Sequence, residues 1–200
     1  MSNLNQDSYN KIAHEWDAIR GKTFVSKLIT DFADKITPNG KILDVGCGTG
    51  NPVISNLSKQ KFEIIGIDAA SEMIEIAKSY RYSNTKLFNV DFFEYDSGEQ
   101  FDGILAWDSF FHFPKEKQES IYIKVAKLLK TGGYLLFTHG NADGEHIDQM
   151  MGNSFYYSAL PLARLKEIFL KNGLQILSIH EKFKEKNTDR DLVILAQKIE

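Results

Sequence analysis

The sequence has little cysteine, little proline and no long apolar run. Cys47 is the single cysteine among 200 residues, so the chain can form neither an internal disulfide nor a cysteine-based metal site. Four prolines and no proline- or serine-rich stretch leave nothing that resembles a linker, and we predict one domain over residues 1–200. The apolar runs, such as 192–196, are far shorter than the roughly 20 residues that a transmembrane helix needs.

The sequence also has no long run of residues with the same charge. The chain has 24 Lys and Arg against 27 Asp and Glu, with a formal net charge of −3, and residues 181–186 mix basic with acidic side chains. A nucleic-acid-binding surface needs clustered Lys and Arg, so no nucleic-acid partner is expected. Residues 1–7 have neither the basic nor the apolar region of a secretion signal, which predicts a cytoplasmic protein without a membrane partner.

Short apolar runs alternate with helical patterns from residue 41 onward. The runs predict strands, and the patterns between them predict helices over 52–59, 71–80 and 115–129. This alternation is typical of a mainly parallel sheet with helices on both faces. The predicted strands are 41–45, 62–67, 86–90, 101–107 and 134–139.

The two ends of the chain differ from this pattern. Before the first strand, Val25, Ile29, Phe32 and Ile36 follow the spacing of an amphipathic helix. After the fifth strand, 140–158 contains three glycines and several acids and is predicted to be a long lid or binding loop. A helix over 160–171 and a terminal antiparallel hairpin of strands 174–183 and 191–198 complete the prediction.

A glycine-rich turn follows the first predicted strand, with the sequence Asp44-Val45-Gly46-Cys47-Gly48-Thr49-Gly50. Glycines allow the backbone to turn tightly and to approach a ligand, and the N-terminus of the following helix is expected to favour an anion. The dinucleotide fingerprint G-x-G-x-x-G would need glycine at the position of Asn51. Asp44 would repel a pyrophosphate, whereas it suits a ligand with an ammonium group.

Acidic residues also end the next strands. Asp68 closes the second strand at the position where such folds hydrogen-bond ribose hydroxyls. Asp91 closes the third strand, where it could accept from an adenine amine while Phe92 packs on the base. Trp107 and Asp108 end the fourth strand, which we expect beside the first strand at the carboxyl edge of the sheet, where doubly wound sheets bind ligands.

These motifs, in this order, resemble those of the class I S-adenosylmethionine-dependent methyltransferases. Residues 44–50 look like motif I of that family, Asp68 like its ribose-binding acid and Asp91 like its adenine-side residue; 130–137 resembles its Gly-Gly turn into the fifth strand. The resemblance covers about 41–140 by motif and the rest by element order. It implies an α/β, doubly wound, Rossmann-like sheet of seven mostly parallel strands, with the last strand antiparallel and helices on both faces.

The resemblance also implies S-adenosylmethionine as cofactor and S-adenosylhomocysteine as product. It divides the domain into N-terminal helices (1–40), a cofactor-binding core (41–139), the lid (140–158) and a final helix and hairpin (159–200). Cys47 is interpreted as a small residue of the loop and not as a nucleophile. The residues predicted to bind the cofactor are Asp44, Gly46, Cys47, Gly48, Gly50, Asp68, Ala69, Met73, Asp91, Phe92, Trp107 and Asp108.

Catalysis of methyl transfer is expected to depend chiefly on positioning, with a general base only where the acceptor must lose a proton. Candidate bases are His112, His139 and Tyr157, and a packing role stays open for each of them. The N-terminal segment around Tyr9, Ala13, Trp16 and Asp17 resembles the opening segment that folds over the cofactor in the family. Candidate substrate-binding residues are Tyr9, Trp16, His112, His146, Tyr156 and Tyr157.

The acceptor is predicted to be a small molecule. Residues 107–110, Trp-Asp-Ser-Phe, stand where enzymes that methylate planar amino nitrogens have Asn-Pro-Pro-Tyr. No cysteine follows the glycine turn as a nucleophile for cytosine, and no inserted domain is visible for a macromolecule. Two other classes stay open at this point, an NAD-dependent oxidoreductase and a non-catalytic protein that binds an adenosyl ligand.

Overall fold

A seven-stranded sheet forms the centre of the molecule. The computed structural model describes residues 3–141, 143–185 and 188–199. Two of the nine strands, β6 and β7, form a separate antiparallel pair, and the other seven form the central sheet. The strands are β1 (Lys41–Val45), β2 (Glu63–Asp68), β3 (Thr85–Asn89), β4 (Phe101–Ala106), β5 (Leu129–His139), β6 (Gly144–Met150), β7 (Asn153–Ala159), β8 (Leu174–Glu185) and β9 (Thr188–Lys198).

The strand order in the central sheet is β3-β2-β1-β4-β5-β9-β8. Strands β1 to β5 pair in parallel, and β9 runs antiparallel between β5 and β8. The predicted fold class is therefore confirmed, including the single antiparallel strand at the end of the chain. The order reverses between β1 and β4, where Asp44 pairs with Leu105, and open sheets of this kind bind ligands at the carboxyl edge of such a reversal.

Helices cover both faces of the sheet. The inner strands β1, β2 and β4 are buried on both sides, so successive residues such as Ile42 and Leu43 enter different apolar clusters. One cluster lies under α5 and α6, and the other lies under α2 and α3. The helices are α1 (Asn3–Arg20), α2 (Lys27–Ala33), α3 (Val53–Leu57), α4 (Ser71–Ser79), α5 (Gln118–Leu128) and α6 (Leu162–Lys171).

The segment predicted to be a long loop, 140–158, contains a β-hairpin instead. Strands β6 and β7 are joined by Met151 and Gly152, which both have positive φ, at 50° and 71°. A two-residue turn with both φ angles positive matches the twist of a hairpin, and Gly152 adopts this conformation without strain. Phe155 fixes the register because its side chain is fully buried.

A second difference concerns the helix expected to begin directly after the glycine turn. The prediction of 52–59 is too long, because regular helix extends only over Val53–Leu57. Five residues make little more than one turn, so α3 does not have the dipole that the sequence analysis expects at this position.

Helix α1 lies across the carboxyl edge of the sheet. Ile12 and Ala13 pack in an apolar cluster with Ala70, Met73 and Phe155, so α1 rests on both α4 and the β6–β7 hairpin. Of the residues described, no helix has the length and apolar character to cross a membrane.

Asn5 is the residue that fastens α1 to the hairpin. Its side chain is fully buried, its Nδ2 donates to the carbonyl of Tyr156 at 2.8 Å, and its Oδ1 accepts from the N–H of Tyr156 at 2.7 Å. We expect Asn5→Ala to lower the free energy of unfolding by about 1–3 kcal/mol, because the N–H of Tyr156 loses its partner and the carbonyl of Tyr156 keeps only the ring of His112. Urea unfolding measures this change.

Asn3→Ala is the matched control, because Asn3 lies in the same helix and is exposed. Exposed substitutions of this kind change stability by less than about 0.5 kcal/mol. Equal stability of the Asn5 and Asn3 variants would contradict a fastening role for Asn5.

Candidate functional site

The central cavity lies at the carboxyl edge of β1, β2 and β4, under α1. Its volume is about 50 Å³, because side chains of α1 lie over it. The residues predicted to bind the cofactor or the substrate that line this cavity are Tyr9, Trp16, Asp44, Gly46, Cys47, Gly48, Asp68, Met73, Trp107, Asp108 and His112. Four residues that were not predicted to belong to the site also line the cavity: Arg20, Asn51, Val53 and Ser109.

The three glycines of the turn all have positive φ angles, but they differ in what surrounds them. Gly46, Gly48 and Gly50 have φ angles of 72°, 56° and 80°, which favour glycine. A Cβ on Gly46 would lie 2.4 Å from that of Ser109, and one on Gly50 would lie 2.6 Å from the ring of Tyr82. At Gly48 the nearest atoms, Nε1 of Trp16 and Sδ of Met73, are 3.8 and 3.9 Å away, so a Cβ there would meet only ordinary van der Waals contacts. Gly50 supports the turn from behind and does not line the central cavity.

Asp44 is a buried carboxyl group without a partner at one oxygen. Among the described residues nothing donates a hydrogen bond to its Oδ2, and the residue is 2 % exposed. Burial raises the pKa of Asp44 to about 7, and the charge of Asp68 adds to this effect. Because an unsatisfied buried acceptor is costly, Asp44 marks a position where a donor group is expected to bind.

Asp68 closes β2 and holds the glycine turn in place. Its Oδ2 accepts from the N–H of Gly48 at 2.9 Å, and its Oδ1 accepts from the N–H of Ala70 at 2.8 Å. Burial raises the pKa of Asp68, and these two hydrogen bonds oppose part of the effect. Each oxygen retains a second lone pair that can accept from a ligand hydroxyl.

The end of β4 is fixed by three contacts. Ser109 Oγ donates to the carbonyl of Val45 at 2.7 Å, which joins this segment to β1. Asp108 has a left-handed backbone, with φ of 58°, and accepts two hydrogen bonds of 2.7 Å from Arg190 of β9. The Arg190 guanidinium also lies over the ring of Trp107, 4.6 Å from its centroid. A bidentate, stacked arginine is a rigid support, and it holds Trp107 and Asp108 at the cavity wall.

A narrower side cavity continues from the central one toward β3. It shares Gly46 and Asp68 with the central cavity. Three of the predicted cofactor-binding residues, Ala69, Asp91 and Phe92, line this side cavity. Asp91 caps the turn that follows β3, because its Oδ1 accepts from the N–H of Phe93 at 2.8 Å.

An outer cavity of about 480 Å³ lies on the other side of Asp108, between the end of β5 and the β6–β7 hairpin. Asp108 lines both this cavity and the central one. Three of the candidate residues, His139, His146 and Tyr157, line it as well. The His146 ring is exposed and stacks on that of Tyr157, with 5.2 Å between centroids.

Two of the candidates for substrate binding or catalysis, His139 and Tyr156, are held by hydrogen bonds within the fold. His139 uses both ring nitrogens within the fold, since Nδ1 is 3.1 Å from Tyr122 Oη and Nε2 is 3.0 Å from the carbonyl of Leu160. Tyr156 Oη donates to Glu145 Oε2 at 2.7 Å and does not line these cavities. These contacts favour structural roles for His139 and Tyr156.

His112 is buried between the two cavities. Its Nε2 is 2.8 Å from Tyr9 Oη, and its Nδ1 is 3.0 Å from the carbonyl of Tyr156. Burial lowers the pKa of His112 to about 4, although the bond to Tyr156 opposes the change. The imidazole is therefore neutral at pH 7.

Arg20 is the charged residue that sequence reasoning missed. It ends α1, contacts the ring of Trp16 at 5.4 Å and lines the central cavity without an ion pair to any described residue. Burial lowers the pKa of Arg20; the charge of Asp108 opposes this effect, and the nearby Arg190 adds to it. A basic residue in the last turn of a helix is commonplace, so the sequence alone gave no signal for Arg20.

The raised pKa of Asp44 predicts a pH-dependent stability. Between about pH 4 and 7 the unfolded chain releases the Asp44 proton and the folded chain keeps it, so the free energy of unfolding falls as pH rises through this window. We expect Asp44→Asn to raise the free energy of unfolding by about 1–4 kcal/mol at pH 8 and to change it little at pH 4. Urea unfolding at the two pH values measures the difference.

Asp102→Asn is the opposing control. Asp102 is also partly buried, but hydrogen bonds from the Lys41 N–H and from Lys130 outweigh burial and lower its pKa. Its replacement should therefore reduce stability at pH 8. If the Asp44 variant also lost stability at pH 8, the raised pKa of Asp44 would be disproved.

Comparisons with known proteins identify the family and the fold. Residues 17–179 match the family described as a methyltransferase domain. An uncharacterised methyltransferase of Bacillus cytotoxicus is 25 % identical, over 84 % of this chain and 88 % of that protein. An S-adenosylmethionine-dependent methyltransferase of Clostridium acetobutylicum shares the fold, with a TM-score of 0.71, 20 % identity and coverage of 96 % of this chain and 100 % of that chain.

A structure with a bound small molecule is also similar. It is the 1,6-didemethyltoxoflavin-N1-methyltransferase of Burkholderia thailandensis with 1,6-didemethyltoxoflavin and S-adenosylhomocysteine, and its TM-score is 0.73. The identity is 14 %, over 98 % of this chain and 87 % of that chain, so this likeness concerns the fold. The chain belongs to the methyltransferase domain family and is an enzyme of the S-adenosylmethionine-dependent class, as the sequence analysis predicts.

Proposed function

We propose that this enzyme transfers the methyl group of S-adenosylmethionine to a small-molecule acceptor, with the donor in the central cavity and the acceptor in the outer cavity. The observation that carries the proposal is the buried Oδ2 of Asp44, which has no hydrogen-bond partner among the described residues and lies in the same cavity as Gly48, where the strand order reverses. These features place an acceptor atom at the edge of the sheet where folds of this kind bind ligands.

The amino-acid end of the donor carries an ammonium and a carboxylate. Asp44 fits the ammonium, because a charged donor would satisfy its buried oxygen. Arg20 fits the carboxylate, because it lines the same cavity and the nearby carboxylate of Asp108 is already paired with Arg190. The short α3 gives no support to the expectation that a helix N-terminus binds this carboxylate.

The adenosine end fits the remaining cofactor-binding residues. The free lone pairs of Asp68 suit the two ribose hydroxyls. Asp91 and Phe92, in the side cavity, suit the exocyclic amine and the face of adenine. Bound in this way, the donor places a methyl group on a sulfonium, and methyl transfer is then largely a matter of orientation.

The outer cavity supports a small acceptor. It is about ten times larger than the central cavity, and Asp108 forms part of the wall between them. The similar enzyme from Burkholderia thailandensis has a small molecule bound together with S-adenosylhomocysteine. We propose that Tyr157 and His146 belong to the acceptor wall.

Access to the central cavity depends on α1. Tyr9, Trp16 and Arg20 lie over a space of about 50 Å³, which is room for only one or two waters. A nucleoside needs far more room, so we propose that α1 shifts outward when the donor binds.

Two variants test separately how the amino-acid end and the adenosine end of the donor are bound. Arg20→Met should weaken binding of S-adenosylmethionine and S-adenosylhomocysteine by about 10- to 100-fold, because a charge-assisted contact of about 1.5–3 kcal/mol is lost. It should leave the affinity for 5′-methylthioadenosine unchanged, because that compound lacks the amino-acid end. Asp68→Ala should weaken the binding of all three ligands by about 1–3 kcal/mol. Calorimetry measures each affinity.

Lys22→Met is the matched control, since Lys22 is an exposed cation two residues beyond Arg20 and does not line the central cavity. Equal loss of all three ligands in the Arg20 variant would disprove its assignment to the carboxylate. Unchanged affinity in the Asp68 variant would remove Asp68 from the site.

The acceptor class is tested with methyl-deuterated S-adenosylmethionine and a bacterial cell extract divided by molecular size. We expect mass spectrometry to find the labelled methyl group in the low-molecular-weight fraction, because the outer cavity encloses about 480 Å³ and suits a small molecule. The Asp68→Ala variant should give less product at limiting donor concentration.

Label in the protein or nucleic-acid fraction would overturn the small-molecule assignment. Normal binding of the donor without label in any fraction would favour a non-catalytic role instead.

A further inference from the structure

We propose that Tyr9 and His112 form a proton relay, and that the atom methylated is the oxygen of a hydroxyl group on the acceptor. This inference rests on the proposed function, because it assumes the donor in the central cavity and the acceptor in the outer one. It adds the two residues that remove the proton and the chemical class of the acceptor atom.

The hydrogen bonds of His112 define the direction of proton movement. The carbonyl of Tyr156 can only accept, so His112 Nδ1, which is 3.0 Å away, carries the ring hydrogen. In the neutral ring Nε2 is then an acceptor, and the Tyr9 hydroxyl 2.8 Å away donates to it. Tyr9 Oη keeps lone pairs that can accept a hydrogen from an acceptor hydroxyl.

The pair also lies where the two substrates would meet. Tyr9 and His112 both line the central cavity. The ring of His112 contacts that of Tyr157, with 4.9 Å between centroids, and Tyr157 lines the outer cavity. An acceptor that reaches the donor from the outer cavity would pass beside Tyr157 and arrive at Tyr9 and His112.

The step balances in atoms and charge. A lone pair of the acceptor oxygen forms a bond to the methyl carbon, and the bond from that carbon to sulfur breaks, leaving neutral S-adenosylhomocysteine. The proton of the acceptor hydroxyl moves to Tyr9 Oη, and the Tyr9 proton moves to Nε2 of His112. One positive charge disappears from sulfur and one appears on the imidazole, so the buried site carries the same net charge before and after transfer.

The geometry and the environment of the pair suit a hydroxyl acceptor, because Tyr9 Oη directs its hydrogen to Nε2 of His112, 2.8 Å away, and has only lone pairs left to accept a proton. Burial lowers the pKa of His112 to about 4, so the ring is a weak base. An oxygen that is being methylated becomes an oxonium-like centre, which is acidic enough to give its proton to a weak base. A methylated amine would hold its proton more strongly and would not transfer it to such a ring.

The groups that face His112 come from three elements. Tyr9 approaches from α1, and Tyr157 and the Tyr156 carbonyl approach from β7. Asp108, after β4, raises the pKa of His112 against the larger effect of burial, and Arg190 pairs with Asp108. The ionisable neighbours therefore include one paired carboxylate, which stabilises the imidazolium as it forms.

A second Tyr–His pair in the core shows the contrast and offers a control. Tyr122 is fully buried, and its Oη is 3.1 Å from Nδ1 of His139, whose Nε2 meets the carbonyl of Leu160. The chemistry of this bond matches that of the Tyr9–His112 bond, but Tyr122 lines neither the central nor the outer cavity. Tyr122→Phe therefore breaks the same kind of bond without touching the relay.

The first test examines the protein itself. Histidine-labelled enzyme with S-adenosylhomocysteine bound is studied at pH 7 by long-range proton–nitrogen NMR. We expect His112 to be neutral with hydrogen on Nδ1, and we expect Tyr9→Phe to shift its Nε2 signal while the His139 signals stay unchanged; Tyr122→Phe should do the reverse. A charged His112, or hydrogen on its Nε2, would overturn the relay.

The second test follows labelled methyl transfer to the low-molecular-weight extract and to phenol, aniline and thiophenol as matched probes. We expect product on oxygen and a loss of about 100-fold or more in Tyr9→Phe and His112→Gln at pH 7, with near-normal affinity for S-adenosylhomocysteine. The rate of the Tyr9 variant with phenol should recover as pH rises and phenol ionises, which a merely structural defect would not produce.

The outcomes distinguish the two proposals. Transfer only to nitrogen or sulfur, no oxygen product despite normal binding of S-adenosylhomocysteine, or full activity of the Tyr9 variant would overturn the relay and leave the donor site intact. If the wild-type protein did not bind S-adenosylhomocysteine, the proposed function itself would be overturned. Tyr122→Phe should lower stability and leave the pH profile of transfer unchanged.

Discussion

The carboxylate of Asp44 sits at the end of a fully buried strand, with no donor at Oδ2 and with Asp68 as its neighbour. Two acids so close in a dry environment raise the cost of ionising either of them. The fold accepts this cost because the strand order reverses at β1, and a ligand bound there can supply the missing donor. The glycine turn and the ends of β2 and β4 surround the Asp44 carboxyl group.

The contacts that hold the glycine turn in place lie next to Asp44. Asp68 holds the turn through the N–H of Gly48, and Ser109 occupies the space that a side chain on Gly46 would need. Arg190 fixes the far wall by binding Asp108 and stacking on Trp107. The ligand-facing surface is thus held by contacts from β2, β4 and β9, which gives it the rigidity that orientation of a reacting methyl group requires.

The sequence predicts the parts of this structure that depend on local patterns. The alternation of strands and helices gives the sheet, and the glycine turn with Asp44 and Asp68 gives the central site. The β6–β7 hairpin escaped prediction because its turn depends on Met151 and Gly152 and its register depends on burial of Phe155 under α1. Arg20 escaped it because only tertiary packing brings the end of α1 to the cavity, and His112 differs from His139 only through contacts distant in sequence.

Helix α1 touches the roof of the central cavity with Tyr9 and Trp16, and it holds the β6–β7 hairpin through Asn5. One helix therefore contacts both the proposed donor site and the hairpin that lines the outer cavity. If one ligand shifts α1, the free energy of that shift changes the binding free energy of the other ligand. Thermodynamic linkage makes this effect reciprocal. Donor and acceptor are accordingly expected to bind cooperatively, so the affinity of either one measured alone differs from its affinity in the ternary complex.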